Sequence, residues 1–431
     1  MKDFARSDSP EVQRQLDRLA ALSLPQGRFG LETIRTMLTR LGDPQELIPP
    51  AFHVAGTNGK GSTCAFLRAM LEAQGLMVHT ATKPHLVRYN ERIRVAGKLI
   101  ADNDLAQLLA EVLDLSEDLG PSFFEVTTAA MFLAFSREPA DACVIETGLG
   151  GRFDATNVLP HPAAVGIASL GIDHEAFLLR PEDGTPKDPL ARIAFEKAGI
   201  IRPGSPACTM SYPEGAELEI ERAALAAGAP LHMKGKDWDV TSIDVLEYSD
   251  RHGALTLPLP MLPGAHQADN AALAVAMLRH QDRVTVSAEA MASGILAARW
   301  PARLQLLAKG PLTGPAGQRD VWLDGGHNPD AGLAIARHFA GQSLHLVIGM
   351  MANKDADAIV GPLGESIASL QVVDVPGQDS HPAQAFRPSA RAAASVGEAL
   401  ASLPADGVPV LIAGSLYLAG NVLAANGEVP D

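Results

Sequence analysis

Residues 52–63, with the sequence FHVAGTNGKGST, restrict the fold more than any other stretch of the chain. A short apolar strand leads into a loop with three glycines, and we expect an apolar helix to begin at Cys64. Such a loop directs backbone N–H groups and a helix N-terminus at an anion, and Lys60 adds a mobile cation. The Ser62 hydroxyl suits a magnesium ion bound with a nucleotide. The run predicts a phosphate-binding loop, and a glycine-rich turn without a ligand is the alternative.

The run departs at two places from the common phosphate-loop pattern G-x-x-x-x-G-K-[ST]. Val54 occupies the position of the first glycine, and Gly61 separates Lys60 from Ser62. The sequence therefore predicts a variant of this loop.

The composition and charge of the 431-residue chain exclude several classes of protein. Hydrophobic residues make up 47% and charged residues 20%, which is typical of a globular protein with sizeable cores. A net charge of −15 argues against binding to nucleic acid or to an anionic membrane. The three cysteines are isolated, so neither a disulfide framework nor a zinc site is expected. Because no apolar leader and no long apolar span stand out, we expect a cytoplasmic location.

Alternating strand and helix patterns predict an α/β protein with two domains. Up to residue 298 we expect strands at 76–81, 141–146 and 164–170, helices at 11–21, 31–41, 102–118, 125–136 and 214–227, and a turn-rich loop at 25–30. Residues 264–270 should cap a long alanine-rich helix. Further on, strands are expected at 321–324, 344–351, 370–375 and 408–413, with helices between them. We predict a larger domain at 1–298 with a mainly parallel sheet and a smaller Rossmann-like domain at 299–431.

Polar residues follow several of the predicted strands. Glu146 ends one strand and His174 follows the next, at the strand ends where α/β proteins place magnesium ligands beside a phosphate loop. A structural histidine is the alternative for His174. Residues 82–92 are rich in polar side chains, which indicates a binding segment or an exposed loop. Lys197 stands among apolar residues, where a snorkelling side chain is the plain interpretation.

Eight runs along nearly the whole chain resemble the Mur-ligase superfamily, most closely the dihydrofolate synthase/folylpolyglutamate synthase family. They are GTNGKGS at 56–62, PHLVRYNER at 84–92, ETGLGGRFDATN at 146–157, DHE at 173–175, EKAGI at 196–200, GAHQ at 264–267, DGGHNP at 324–329 and GSLY at 414–417. No single run is decisive, but the ordered series is specific.

The resemblance implies a P-loop central domain of the Mur-ligase type, followed by the smaller Rossmann-like domain, in a monomer. It implies an ATP-dependent ligase that forms an acyl phosphate on a carboxylate and couples it to the amine of L-glutamate. The implied acceptors are dihydropteroate and folates, the latter extended by γ-linked glutamates. The implied cofactors are ATP and Mg²⁺ at two sites, with K⁺ as a further candidate.

The same resemblance assigns roles to individual residues. The catalytic residues are Lys60, Glu146, His174 and Lys197, and the metal ligands are Ser62, Glu146, His174 and Lys197, the lysine as a carbamate. Nucleotide contacts are assigned to Gly56, Thr57, Asn58, Gly59, Lys60, Gly61, Ser62, Asn270, Arg303, Asp324 and His327. Acceptor contacts are assigned to Gly30, Leu31, Lys83, His85, Arg88, Phe123, Phe124, Asp154 and Ala155. For Phe123 and Phe124, a hydrophobic staple at a helix start is the alternative.

One residue departs from the family pattern at the expected metal site. The family usually has Thr-Ser-Pro-His-Leu where this chain has TKPHL at 82–86, and the family serine is a magnesium ligand. Lys83 removes that hydroxyl and adds a cation beside the metal. Lys83 is the reason for one alternative, an ATP-binding protein that has lost catalysis. A related ligase for another carboxylate, such as a cell-wall precursor, is a separate alternative.

Overall fold

The structure is a computed structural model that describes residues 6–22 and 30–430. The chain folds into two compact units, the first formed by Met1–Pro84, Arg88–Met261 and Ala268–Ala298 and the second by His85–Val87, Leu262–Gln267 and Arg299–Asp431. Except for Gly30, the turn-rich loop predicted at 25–30 lies outside the described residues. None of the helices in the described ranges is long and apolar enough to cross a membrane.

A large, mainly parallel sheet organises the first unit, as predicted. Its strands are β1 (Ala51–Ala55), β2 (Val78–Ala81), β3 (Ile93–Val95), β4 (Lys98–Leu99), β5 (Ala142–Glu146), β6 (Ala164–Ile167), β7 (Ala207–Thr209) and β8 (Leu231–Met233). They lie in the order β4-β3-β2-β5-β1-β6-β7-β8, in which β3 pairs antiparallel with both β2 and β4 and the other neighbours pair parallel. Strand β1 lies between β5 and β6, parallel to both. The phosphate loop after β1 therefore adjoins the ends of β5 and β6.

Ten helices in the described part of the first unit cover this sheet. They are α1 (Pro10–Ala21), α2 (Glu32–Arg40), α3 (Lys60–Ala73), α4 (Asp102–Ser116), α5 (Phe123–Arg137), α6 (Glu175–Leu178), α7 (Pro189–Ala198), α8 (Glu214–Ala227), α9 (His266–Arg279) and α10 (Ala288–Ala297). One apolar cluster joins α1, α2, α4 and α5, and another joins α7 and α8 with β6 and β7. All residues of β1 and β5 are buried, as expected for strands covered on both faces.

Helix α3 begins at Lys60, and the prediction that it begins at Cys64 is wrong. Gly59 adopts a left-handed φ of 82°, which turns the chain directly into the helix. Lys60 and Ser62 therefore lie in the first helical turn, where free N–H groups face the loop.

Two other helix starts differ from the prediction. Helix α5 begins at Phe123 because the Ser122 hydroxyl accepts from the Glu125 N–H while the Glu125 carboxylate accepts from the Ser122 N–H. Helix α9 begins at His266, so Asn270 lies inside the helix and not in the cap.

The first unit also contains a small antiparallel sheet. Its strands are β9 (Trp238–Ser242), β10 (Leu246–Asp250) and β11 (Gly253–Leu257), in the order β11-β10-β9. Arg279 on α9 donates to both carboxylate oxygens of Asp250 on β10, each at 2.7 Å. This buried ion pair ties the small sheet to the helix.

The second unit has the predicted α/β architecture. Its strands are β12 (Gln305–Leu306), β13 (Val321–Leu323), β14 (Leu344–Ile348), β15 (Ile367–Val372), β16 (Arg391–Ala392) and β17 (Val410–Ala413), in the order β12-β13-β17-β14-β15-β16. Only β12 pairs antiparallel. The helices are α11 (Pro329–His338), α12 (Asp357–Leu363), α13 (Val396–Ala401) and α14 (Leu416–Asn426).

Candidate active site

The phosphate loop is held in place by hydrogen bonds with the segment that follows β6. The Thr57 N–H donates to the Ser169 carbonyl at 2.7 Å, and the Thr57 hydroxyl donates to the Gly171 carbonyl at 2.9 Å. The Ser169 hydroxyl in turn donates to the Asn58 carbonyl at 3.2 Å. The loop is therefore fixed against the segment that follows β6.

Gly59 makes the tightest approach in the loop. A Cβ at this position would lie 2.4 Å from Asn270 Oδ1, closer than real Cβ contacts allow. Asn270 is buried on α9. The structure thus brings together two residues predicted to contact the nucleotide, although 211 positions separate them in the chain.

Two lysines meet at the Gly56 carbonyl. Lys60 Nζ donates to this oxygen at 3.0 Å and Lys197 Nζ donates to it at 2.8 Å. Burial, reinforced by the Lys60 ammonium, lowers the pKa of Lys197 to about 7. A substantial fraction of Lys197 is thus a neutral amine at neutral pH, the form that can react with carbon dioxide to give a carbamate.

Glu146 and Lys83 meet at the ends of the adjoining strands β5 and β2. The Lys83 N–H donates to Glu146 Oε2 at 3.0 Å, and Glu146 is buried. Burial lowers the pKa of Lys83, and the carboxylates of Asp154 and Glu146 oppose this effect. A Cβ on Gly148 would lie 3.3 Å from Lys83 Cδ and 3.2 Å from Asp154 Oδ2. The absence of a side chain at Gly148 therefore gives this lysine and this carboxylate room to approach each other.

Asp154 organises the loop that follows β5. Its Oδ2 accepts from the N–H groups of Gly148 and Leu149 at 2.8 and 2.9 Å, and its Oδ1 accepts from the N–H and hydroxyl of Thr156 at 3.0 and 2.6 Å. A carboxylate has about four lone-pair positions, and these four donors of the chain itself occupy the positions on Asp154. The contact of Asp154 with an acceptor molecule stays a prediction.

The residues predicted to bind magnesium fit this ion in chemical type. Ser62 and Glu146 are buried and lie on neighbouring elements, and each can offer oxygen as a metal ligand. His174 has a left-handed φ of 56°, and its Nε2 lies 3.9 Å from Asp173 Oδ2. Within the described residues, no three His, Cys, Asp or Glu side chains form a metal cluster. Magnesium commonly binds through one or two carboxylates together with nucleotide phosphates, and this set supplies such ligands.

An aromatic group lies at the start of α5, where acceptor contacts are predicted. The Phe123 ring packs edge-on against Phe124 at 5.4 Å and against Tyr89 at 5.9 Å. The Arg92 guanidinium lies 5.5 Å from the Phe123 ring centre and is itself buried. Phe124 is 40% exposed, which leaves ring surface available for stacking.

The remaining acceptor candidates of the first unit have different surroundings. Leu31 is buried in the apolar cluster of α1, α2, α4 and α5, and Ala155 packs against the same cluster. Gly30 lies beside the Glu32 carboxylate, whose oxygen would be 2.2 Å from a Cβ. Arg88 is exposed.

A buried network of four charged residues joins the Asp154 loop to helix α7. Arg152 Nη2 lies 2.7 Å from Glu196 Oε1 and 2.6 Å from Glu182 Oε2. Arg192 contacts the same two carboxylates at 2.8 and 3.1 Å. The Arg152 N–H also donates to the Glu196 carbonyl at 2.7 Å, next to Lys197. Only the Arg192–Glu196 spacing of four residues on a helix was visible in the sequence, and the sequence analysis did not identify it.

Four candidates belong to the second unit. The Asp324 carboxylate accepts from the N–H groups of Leu304 and Gly326 at 2.8 and 2.6 Å. His327 Nδ1 lies 3.1 Å from the Gly325 carbonyl. Arg303 Nη1 donates to the Ala302 carbonyl at 2.8 Å, and His85 is buried.

His53 is a buried polar residue that the sequence analysis did not select. It lies on β1, and its Nε2 is 2.8 Å from the Thr156 hydroxyl, which itself donates to Asp154. Burial lowers the pKa of His53 to about 3, so the ring is neutral. A lone histidine in an otherwise apolar strand was the available signal.

Comparisons with known proteins agree with one another. No protein-family model matches the chain. It is 35% identical over 360 residues to the dihydrofolate synthase/folylpolyglutamate synthase of Bacillus subtilis, covering 79% of each chain. It is 36% identical over 340 residues to the protein of the same description from Escherichia coli, covering 76% of this chain and 73% of the relative.

Solved structures give the same result over nearly the full length. Escherichia coli FolC in complex with DHPP and ADP matches with a TM-score of 0.84 and 30% identity, covering 98% of each chain. A bifunctional folylpolyglutamate synthase/dihydrofolate synthase with Mn, AMPPNP and L-glutamate bound matches with a TM-score of 0.82 and 29% identity, covering 98% of this chain and 99% of that one. This chain therefore belongs to the dihydrofolate synthase/folylpolyglutamate synthase family.

Proposed function

We propose that this chain is an ATP-dependent ligase that joins L-glutamate to dihydropteroate and extends tetrahydrofolate with γ-linked glutamates. The observation that carries the proposal is the meeting of Lys60 and Lys197 at the Gly56 carbonyl, beside the strand that ends in Glu146. Cations and a phosphate loop at one sheet edge suit a reaction in which an anionic carboxylate approaches an anionic phosphate.

The reaction proceeds in two steps. A carboxylate oxygen of the acceptor attacks the γ-phosphorus of ATP, and the bond from this phosphorus to the ADP oxygen breaks. The neutral amine of L-glutamate then attacks the acyl carbon and loses a proton, and the bond from carbon to the phosphate oxygen breaks. The products are an amide, ADP and phosphate.

The phosphate loop binds the ATP phosphates in this scheme. Its N–H groups and the start of α3 bind the phosphates, and the position of Gly59 against Asn270 leaves no room for a side chain in the loop. In the structure the Lys60 ammonium donates to the loop carbonyls of Gly56 and Thr57. A bound phosphate would compete for these donors.

Ser62, Glu146 and His174 would hold the magnesium ion, joined by Lys197 if it is carbamylated. When bound, the ion would neutralise negative charge on the ATP phosphates. The carbamate would turn the Lys197 cation into an oxygen ligand, and the lowered pKa of this lysine supports that role.

The remaining candidate residues would contact either the acceptor or the nucleotide. Phe123 and Phe124 would stack on the pterin ring, with Gly30, Leu31, Asp154 and Ala155 around it, and Lys83, His85 and Arg88 would face acceptor carboxylates. Arg303, Asp324 and His327 would contact ATP, which gives residues 1–298 the ATP- and pterin-binding role and residues 299–431 a supporting ligase role. Because the reaction consumes ATP, we place the enzyme in the cytoplasm. The resemblance to the family also supports a monomer.

The test is release of phosphate from ATP with L-glutamate and bicarbonate, comparing dihydropteroate, tetrahydrofolate and no acceptor. Release with both acceptors is expected, and mass spectrometry should find one added glutamate per phosphate. Release with dihydropteroate alone would restrict the proposal to the first activity. Binding of ATP without acceptor-dependent release would contradict the proposal and favour a protein that has lost catalysis.

A further inference from the structure

Lys83 places a positive charge among carboxylates at the catalytic edge of the large sheet. Lys83 is the second residue after the end of β2, and its backbone N–H donates to Glu146 Oε2 at 3.0 Å. The point where a Gly148 Cβ would lie is 3.7 Å from Lys83 Nζ and 3.2 Å from Asp154 Oδ2. The ammonium therefore lies beside Asp154, on the strand-end side of Glu146.

This ammonium makes no direct bond to the protein. Across residues 6–22 and 30–430, no hydrogen bond or ion pair within 4 Å involves Lys83 Nζ. Asp154 cannot easily supply one, because Gly148, Leu149 and Thr156 already donate to its oxygens. The charge is thus held near two carboxylates while its three N–H donors stay available to a ligand.

The surrounding charges define what this position is suited to bind. Asp154 and Glu146 attract the ammonium, whereas the buried guanidinium of Arg92 repels it. Without Lys83, the Glu146 carboxylate would be an oxygen ligand for a divalent cation, and the Asp154 carboxylate would add negative charge nearby. Oxygen ligands and negative charge are what Mg²⁺ and Mn²⁺ bind. With Lys83 present, one positive charge already occupies this environment.

We propose that the Lys83 ammonium takes the place of one divalent cation in the charge balance of the active site, so that this enzyme binds a single divalent ion, the one that accompanies ATP. The inference rests on the proposed function, because it needs ATP to bind at the phosphate loop. The ammonium offers positive charge and three donors to the reacting carboxylate or phosphate without requiring an octahedral ligand set.

The experiment counts bound Mn²⁺ by electron paramagnetic resonance of the free ion, in the full-length protein with saturating AMPPNP. The unaltered protein should bind one Mn²⁺ per chain. Lys83→Ser should bind two, because Glu146 and Asp154 lose their counter-charge and gain a hydroxyl ligand. Lys83→Arg keeps the charge and should bind one, and Lys83→Met separates loss of charge from gain of the hydroxyl.

The outcomes are distinguishable from one another. Two Mn²⁺ ions in the unaltered protein, or one in Lys83→Ser with an unchanged melting temperature, would overturn the inference and leave the ligase function standing. If Lys83→Ser does not fold, the count for Lys83→Met decides, with two ions supporting the inference and one overturning it. No AMPPNP-dependent Mn²⁺ binding by the unaltered protein would contradict the proposed function itself, and the inference would fall with it.

Discussion

Gly59 shows how one residue can serve both the backbone and the site. Its φ of 82° is left-handed, and its missing side chain leaves room for Asn270. Gly75 has a similar φ of 87°, but a Cβ there would meet nothing within 4 Å. The two glycines therefore differ in surroundings and not in backbone conformation.

We expect Gly59→Ala and Gly75→Ala to lower the free energy of unfolding by about 1–2 kcal/mol each through backbone strain. Only Gly59→Ala should also displace the Asn270 amide, so its affinity for AMPPNP should fall at least about tenfold, or about 1.4 kcal/mol. Urea unfolding and calorimetric titration provide the two measurements. Equal AMPPNP affinities in the two variants would show that the contact with Asn270 is not part of the nucleotide site.

Asp154 permits a second prediction for a single residue. In Asp154→Asn, an amide NH₂ would face N–H and O–H donors that now bind a carboxylate oxygen. We expect a loss of about 1–3 kcal/mol in the free energy of unfolding, because buried donors lose their acceptor. Asp17→Asn is the control, since the exposed Asp17 side chain accepts only from Gln13 among the residues that the structure describes. A similar stability for both variants would argue against a structural role for Asp154.

Helix α7 carries Lys197 and is held by charge as well as by apolar packing. The N-terminal end of this helix is set locally, because Asp188 accepts from the Ala191 N–H at 2.8 Å and Pro189 begins the helix. The network of Arg152, Glu182, Arg192 and Glu196 then attaches it to the Asp154 loop. The position of Lys197 therefore depends on contacts between three segments of the chain.

Removing one charge from this network should be costly. Glu196→Gln leaves the buried Arg192 partly uncompensated, and we expect the free energy of unfolding to fall by about 3 kcal/mol. Glu117→Gln removes one of two carboxylate partners of Arg18, the other being Asp114. Glu117 is 65% exposed, so this substitution should change the free energy of unfolding by at most about 1 kcal/mol. Urea unfolding measures both. A loss below 1 kcal/mol for Glu196→Gln would mean that the network adds little stability.

At the scale of the whole molecule, buried neutral histidines make stability depend on pH. Burial lowers the pKa of His53 to about 3 and that of His280 to about 4, from an ordinary value of 6.5. Between pH 6.5 and 4 the unfolded chain therefore binds more protons than the folded chain. The free energy of unfolding should fall on acidification below pH 6.5, by about 1.4 kcal/mol per pH unit for each histidine.

The first unit contains Trp238, whose fluorescence can follow this change if Trp300 and Trp322 are replaced by phenylalanine. In this background, His280→Gln should reduce the slope of stability against pH between 6.5 and 5. A stability that rises on acidification, or an unchanged slope in His280→Gln, would contradict the prediction.

Features that depend on residues close together in the chain could be predicted from the sequence. Apolar periodicity located the parallel strands and most helices, and the glycine pattern at 56–61 predicted the turn between β1 and α3. The ordered runs identified the family, which the comparisons confirm. Helix starts were less accurate because capping by Gly59 and Ser122 depends on backbone geometry that hydrophobic patterns do not encode.

Contacts between residues far apart in the chain could not be predicted from the sequence, because they follow from the arrangement of the strands. Lys197 reaches the Gly56 carbonyl across 141 positions, and Lys83 reaches Glu146 across 63, because β1, β2, β5 and β6 lie side by side in an order that differs from their order in the chain. These contacts determine the pKa values and the charge balance around Lys197 and Lys83, since both depend on burial and on the distance between charged groups. The candidate site residues were predicted from the sequence and stay a prediction, whereas their electrostatic environment is set by the order of the strands.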